Sequence, residues 1–337
     1  MRIVANIPGG KSPVDRQLKP GRMFRCASDG ESIIKFTIRN LRSLSTIIPI
    51  LVACLAVADD TKGERIESIT IDGVERIWRM YVPPDYEEGG PRALILDFHG
   101  TGSNPERQAR LSRFESLAAE FGFLVARPEA KYPRKKDGRV TWNVDLHEDA
   151  VDDVRFIREM IRQISVQYSV DPRRIYATGF SGGGRMSSRL ACDLSDVFAA
   201  IGPVAGVRYP EDCNPLRPVP LITFHGKKDN INHYEHRSDS PDYWRMGVEA
   251  AIAGWVRNNG CVGKPSEQPV TSTVVRVTYG ECKQGGDIVF YRSEDAGHTW
   301  PGSPEAGALA ARGRGKTDSA IDASKLTWQF FEGHLLP

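Results

Sequence analysis

Residues 176–186 read Tyr-Ala-Thr-Gly-Phe-Ser-Gly-Gly-Gly-Arg-Met. A β-type run at 175–178 passes straight into Gly179-Phe180-Ser181-Gly182-Gly183, and a helical stretch follows at once. That strand–turn–helix context makes G-x-S-x-G a nucleophile elbow, with the Ser181 hydroxyl lifted out at the C-terminal end of a strand. Gly179 and Gly183 suit a tight turn in which a β-carbon would collide with the neighbouring strand or helix. The bare pattern is weak in a chain with 32 glycines, so a histidine and an acid must be found downstream.

Working outward, short β-rich runs alternate with helical patterns. This predicts an α/β fold with a mostly parallel central sheet and helices on both faces. Strand-like runs at 65–71 and 76–82 flank Asp72-Gly73, a hairpin turn signal. The apolar run 93–98 reads as a buried parallel strand feeding His99-Gly100-Thr101-Gly102. A helix is expected over 105–121, a strand over 123–126, and an irregular loop from there to about residue 146. Val151, Val154, Ile157, Ile161 and Ile164 recur at helical spacing within 148–168. Asp149, Asp152 and Asp153 crowd the first turns of that helix, where the dipole favours negative charge, so capping is their expected role. Further strands are expected at 198–204, 219–224, 274–279 and 288–291, and helices at 184–191, 243–259 and 319–332.

The chain has 337 residues and a formal charge of +2, a balance that gives no electrostatic case for a nucleic-acid partner. Residues 39–58 read as a signal peptide. Arg39 and Arg42 form its charged region, 44–57 its short apolar stretch, and Ala56-Val57-Ala58 a small-residue cleavage site. Leu51-Val52-Ala53-Cys54 also fits a lipobox, in which a lipid on Cys54 would tether the protein to a membrane. Residues 1–38 show no pattern and fit a start codon assigned too early. Residues 59–337 show no linker or repeat and read as one catalytic domain. Four cysteines lie in it, Cys192, Cys213, Cys261 and Cys282, and allow three pairings. The two local pairings, Cys192–Cys213 and Cys261–Cys282, are favoured, and both need an oxidising compartment. No metal or cofactor is expected. His233 and His236 form an H-x-x-H without an obvious third ligand.

A serine hydroxyl becomes a nucleophile when a base takes its proton and an acid holds that base in one tautomer. In a parallel sheet all three belong just past the C-terminal ends of strands. Ser181, Asp229 and His298 meet that condition. His99 and His225 also follow strands, but each precedes a glycine where the chain turns and reads as structural or pocket-shaping. Asp295 and Asp242 are rivals for the acid, and Asp295 sits close enough to His298 in sequence to be shaping that loop. The oxyanion of a tetrahedral intermediate needs two N–H donors. The amides of Gly182 and Thr101 are the candidates, with Gly100 as alternative to Thr101. Trp142 and Trp300 are candidate walls of an aromatic acyl pocket, with ordinary packing as the competing reading. A trypsin-like protease, suggested by G-x-S-G-G and the order His99…Asp145…Ser181, is opposed by the amphipathic helices on both sides of the serine and by Phe180 in place of the usual Asp.

The runs H-G-T-G, D-P-R-R-I-Y-A-T-G-F-S-G-G-G-R-M with L-A-C after it, F-H-G-K-K-D and G-H-T-W-P-G together resemble the polyhydroxybutyrate depolymerase/feruloyl esterase group of α/β-hydrolases. The resemblance covers about residue 69 to the C-terminus. It implies an α/β-hydrolase fold and a secreted serine esterase without a metal, with Ser181 as nucleophile, Asp229 as acid and His298 as base. It also matches Cys192 and Cys213 to a recurrent disulfide. Thr101 departs from the cysteine that many members carry after the first H-G, and no substrate-binding domain for solid polymer follows. Feruloyl-type esters of polysaccharide are therefore the first expected substrate, short hydroxyalkanoate esters the second and acetyl-xylan the third. A peptidase is a weaker alternative, and a non-catalytic surface-binding protein on the same scaffold is the alternative of another class.

Overall fold

The computed structural model describes residues 63–86, 90–134 and 136–337. The expected leader, signal segment and Cys54 lie outside these residues. Asp72 and Gly73 both take positive φ, 51° and 78°, the conformation a two-residue hairpin turn demands. They join β1 (Gly63–Ile71) to β2 (Val74–Val82) in antiparallel register. There follow β3 (Arg92–Phe98), α1 (Pro105–Ser112), α2 (Phe114–Phe121), β4 (Leu124–Pro128), β5 (Tyr132–Pro133), β6 (Val140–Thr141) and α3 (Asp153–Gln167). The second half runs β7 (Val170–Phe180), α4 (Gly182–Asp193), β8 (Ala200–Val204), β9 (Leu221–Gly226), α5 (Val248–Asn258), β10 (Ser266–Pro269), β11 (Val274–Tyr279), β12 (Ile288–Ser293), α6 (Ala306–Ala311) and α7 (Ala323–Glu332).

The described residues build a ten-stranded sheet in the order β1-β2-β4-β3-β7-β8-β9-β12-β11-β10. From β4 to β12 the pairs are parallel, and antiparallel strands finish both edges. This is the α/β-hydrolase arrangement. The central strands are buried on both faces, so they read as unbroken apolar runs, yet their side chains still alternate. Leu94, Leu96 and Phe98 of β3 pack with α3, α4 and α5 through residues such as Phe156, Leu190 and Trp255. Ala93 and Ile95 face the other side, against Leu111, Phe114 and Phe331 of α1, α2 and α7.

Four helices differ from the expectation, one of them, α7, only in starting at Ala323 rather than at 319. The helix over 105–121 is broken at Arg113, whose left-handed φ of 56° ends α1 and starts α2. Leu111 and Phe114 are buried on either side of that break, so the apolar spacing runs through it unbroken. The helix expected from residue 148 starts at Asp153, because Asn143 binds the segment before it. Its side-chain amide donates to the carbonyls of His147 and Val151, both at 3.1 Å. Of the acids there, Asp152 caps α3 by accepting from Arg155 N. Asp153 does not cap: it is buried and paired with Arg76 at 2.5 Å, and accepts from Asn143 N at 2.7 Å. The helix expected from 243 starts at Val248. The short β5, β6, β10 and α6 carried no periodic signal long enough to read.

Candidate active site

Ser181 stands between the last residue of β7 and the first of α4, with φ 57° and ψ −110°. Such a conformation costs a non-glycine residue about 1–3 kcal/mol and persists only where its surroundings over-determine it. Here Ser181 N donates to Val204 O at 2.9 Å, and Arg185 N donates to Ser181 O at 3.0 Å. The glycines make the turn possible. A β-carbon on Gly179 would lie 2.6 Å from Phe98 O, and one on Gly183 would run into the same carbonyl.

Asp229 follows β9 and His298 follows β12, neighbouring parallel strands, which brings residues 69 apart in sequence into contact. His298 Nδ1 lies 2.7 Å from Asp229 Oδ2. The carboxylate can only accept, so Nδ1 carries the proton and Nε2 is left as a base. Asp229 is itself held on every side. Its Oδ1 accepts from Ile231 N and Asn232 N, both at 2.8 Å. Burial would raise its carboxyl, but the charges and donors of His298 and His225 overcome that and hold it well below the usual carboxylate range. Asp295 is partly exposed and pairs with Lys228 at 2.6 Å rather than with His298.

His225 is a partner that sequence reasoning missed. Its Nε2 lies 3.2 Å from Asp229 Oδ2 and 2.9 Å from Asn232 O. Two acceptors require the proton on Nε2, so His225 donates to the acid alongside His298. The spacing of four residues between His225 and Asp229 was the available signal. His99 is also buried. Its Nδ1 donates to Gly100 O at 2.8 Å and its Nε2 accepts from Ala130 N at 3.1 Å. Burial lowers its pKa to about 4, so it is a neutral strut for the 99–102 loop.

That loop carries Thr101 against the elbow. A β-carbon on Gly182 would lie 3.0 Å from Thr101 N, so the two candidate amides border one small space. Neither donates to a backbone carbonyl among the described residues. The Thr101 hydroxyl bonds Thr141 Oγ1 at 2.7 Å. Ser181, Thr101, His298 and Phe180 all line a cleft of about 1470 Å³. Trp142 lines it from a nearly buried position, with its indole N–H donating to His99 O at 2.8 Å. Trp300, expected in the same wall, is outside the lining. Its N–H donates to Ser324 Oγ at 3.0 Å, which draws the ring in behind Phe180 and against Phe114. His233 uses both ring nitrogens on Ser240 and Arg237. The disulfides are Cys192–Cys213 and Cys261–Cys282, the local pairs.

A sequence profile for the family described as "Esterase PHB depolymerase" matches residues 77–278. "Feruloyl esterase B" of Piromyces equi is 34% identical over 215 residues, 61% of this chain; the chain spans 39% of that protein. "Feruloyl esterase D" of Neurospora crassa is 25% identical over 299 residues, 86% of this chain and 94% of the relative. Among solved structures, "Acetyl xylan esterase from Aspergillus awamori" superposes with a TM-score of 0.50 at 16% identity, covering 74% of this chain and 99% of that one. The last comparison speaks to the fold alone.

Proposed function

The chain belongs to the PHB depolymerase/feruloyl esterase family, and from that premise we propose that it hydrolyses carboxylic esters through Ser181, His298 and Asp229. The observation that supports this most is the 2.7 Å contact from His298 Nδ1 to Asp229 Oδ2, beside a cleft that Ser181 and His298 both line. In this reading His298 Nε2 takes the Ser181 proton as Oγ attacks the ester carbonyl. The amides of Thr101 and Gly182 receive the oxyanion, and removing one such donor typically costs about 10²–10³ in turnover. His298 then protonates the leaving alcohol, and water, activated by the same imidazole, releases the acyl group. Asp229 keeps the ring in its Nδ1–H tautomer, and His225 positions Asp229.

Feruloyl-type esters on polysaccharide are the substrates we favour, in line with the relatives' names. Hydroxybutyrate oligomers and acetyl-xylan are the alternatives within the same chemistry. The protein acts after export, as two disulfides support, with 59–337 as its catalytic domain. Intact mass of the exported protein separates cleavage after Ala58 from a lipid on Cys54. The central test is hydrolysis of p-nitrophenyl acetate and labelling by a fluorophosphonate. Both are expected in the wild type and absent in Ser181→Ala, and a wild type that neither labels nor turns over any ester refutes the proposal. A panel of methyl ferulate, acetyl-xylan and hydroxybutyrate oligomers then orders the substrates.

A further inference from the structure

Five arginines are buried among the described residues: Arg76, Arg127, Arg185, Arg189 and Arg208. Four of them pair with a carboxylate. Arg76 meets Asp153, Arg127 meets Glu64 and Glu115, Arg189 meets Asp212 at 2.8 Å, and Arg208 meets Asp145 at 2.6 Å. Arg185, 5% exposed, has no carboxylate within ion-pairing distance among the described residues, and its Nη1 has no hydrogen-bond partner. Its guanidinium carbon instead sits 4.1 Å from the centre of the Tyr243 ring. A buried guanidinium without a counter-charge is costly, and a cation–π contact returns only part of that cost. Asp145, the acid in reach, is already committed to Arg208, and burial and the Arg208 charge both work against the charge on Arg185.

The position of this side chain makes the imbalance functional. Arg185 lines the same cleft as Ser181 and His298. It follows the nucleophile by four residues on α4, about 6 Å of helix rise. The cleft itself is cationic, lined by nine Lys and Arg side chains against four Asp and Glu among the described residues. Arg134 approaches the Tyr243 ring as well, at 5.7 Å.

The geometry points to Arg185 and Tyr243 as a carboxylate subsite, so that the preferred ester carries a free carboxylate a few bonds from the scissile carbonyl. This rests on the ester-hydrolase reading above and deepens it. A guanidinium fork pairs with a carboxylate through two parallel N–H···O bonds from two of its nitrogens, and the orphaned Nη1 is free to supply one of them. The carboxylate can reach the subsite from either side of the ester. On the alcohol side it would be a uronate-type sugar; on the acyl side, the far end of a dicarboxylic half-ester.

Two matched pairs distinguish these sources. Mono-4-nitrophenyl adipate is compared with 4-nitrophenyl hexanoate, and 4-acetoxybenzoate with its methyl ester, each kcat/KM divided by the ester's hydroxide rate. In one pair the charged ester is expected to exceed its neutral partner by about tenfold or more. Raising salt should shrink that ratio without a matching change for the neutral ester. Arg185→Met should bring the ratio close to one, and Arg185→Lys should leave an intermediate value. If neutral esters are turned over and neither charged ester is preferred, the subsite is refuted while the esterase reading stands. A folded Arg185→Met with an undiminished ratio also refutes it. If no ester is turned over, the esterase reading falls and the subsite with it. Should Arg185→Met fail to fold, the wild-type ratio and its salt dependence decide.

Discussion

Gly182→Ala tests where the oxyanion sits. The new β-carbon would lie 2.5 Å from Thr101 Oγ1, 3.0 Å from Thr101 N and 3.5 Å from Thr141 Oγ1. Reaching an ordinary 3.4 Å contact requires Oγ1 to retreat by about 0.9 Å. The Thr101 side chain can do so by rotating, at the loss of its hydrogen bond to Thr141, roughly 1 kcal/mol. Against that, alanine is a better helix former than glycine by up to about 1 kcal/mol. The two nearly cancel, so the melting temperature should move by no more than about 4 °C. Turnover should not be spared. The methyl group would occupy the space between the amides of Thr101 and Gly182, where a developing oxyanion must come within about 3 Å of both. We therefore expect kcat on p-nitrophenyl acetate to fall by about 10²–10³. Adding Thr101→Ala should relieve the clash with Oγ1 and raise stability without restoring turnover, because the methyl still covers the Thr101 amide. A Gly182→Ala enzyme that keeps kcat within about threefold, with an unchanged melting temperature, would place the oxyanion elsewhere and refute this reasoning.

Three further outcomes are expected. Asp229→Asn should lower kcat by about 10⁴, because the Asn carbonyl must stay on the amides of Ile231 and Asn232, which turns its NH₂ toward His298 Nδ1 and forces the wrong tautomer; a small loss in steady-state kinetics would argue against Asp229 as the acid. Replacing Cys192 and Cys213 together by Ser should cost about 3 kcal/mol, the chain-entropy value for a loop of this length, and urea denaturation of the double variant reads it directly. Asp97 is buried, and burial raises its carboxyl to about 7 despite donors from Ser112 and Gln108 and the Arg127 charge. A raised folded pKa stabilises the native state below the unfolded value and loses that contribution as pH climbs through the folded one. Asp97→Asn should therefore gain stability relative to wild type between pH 4.5 and pH 7.5; a difference, variant minus wild type, that stays constant or falls over this interval counts against the assignment.

Much of the fold was legible because its signals are local or strictly periodic. Asp72-Gly73 marks a hairpin by backbone conformation alone, and the run 93–98 reads as a doubly buried strand by its lack of polar residues. The meeting of Asp229 and His298 was legible because a parallel sheet gathers strand ends. What the sequence concealed was set by tertiary pairing. Arg113 interrupts a helix without interrupting its apolar spacing. Asn143 delays α3 through bonds to a loop that has no pattern of its own. Trp300 neighbours the base in sequence, yet its indole N–H finds Ser324 on the far side of the ring and takes it out of the cleft. The role of His225 depended on which way its ring faces, and that of Arg185 on which acids had already been claimed by other arginines.

The neutral strut at His99 has a consequence for proton balance. Its pKa of about 4 lies below the ordinary value, so between about pH 4 and pH 6.5 the folded chain carries one proton fewer there than the unfolded chain. Asp97, two residues earlier on β3, does the reverse over much the same interval and carries one proton more. Since the slope of stability with pH is the difference in bound protons, the two contributions oppose each other and nearly vanish in sum. The strand that supports Thr101 thus holds two strongly shifted groups and still passes almost no pH dependence to the fold. The 99–102 loop, which His99 struts through Gly100 O and Ala130 N, would thus keep its place across that interval of acidity.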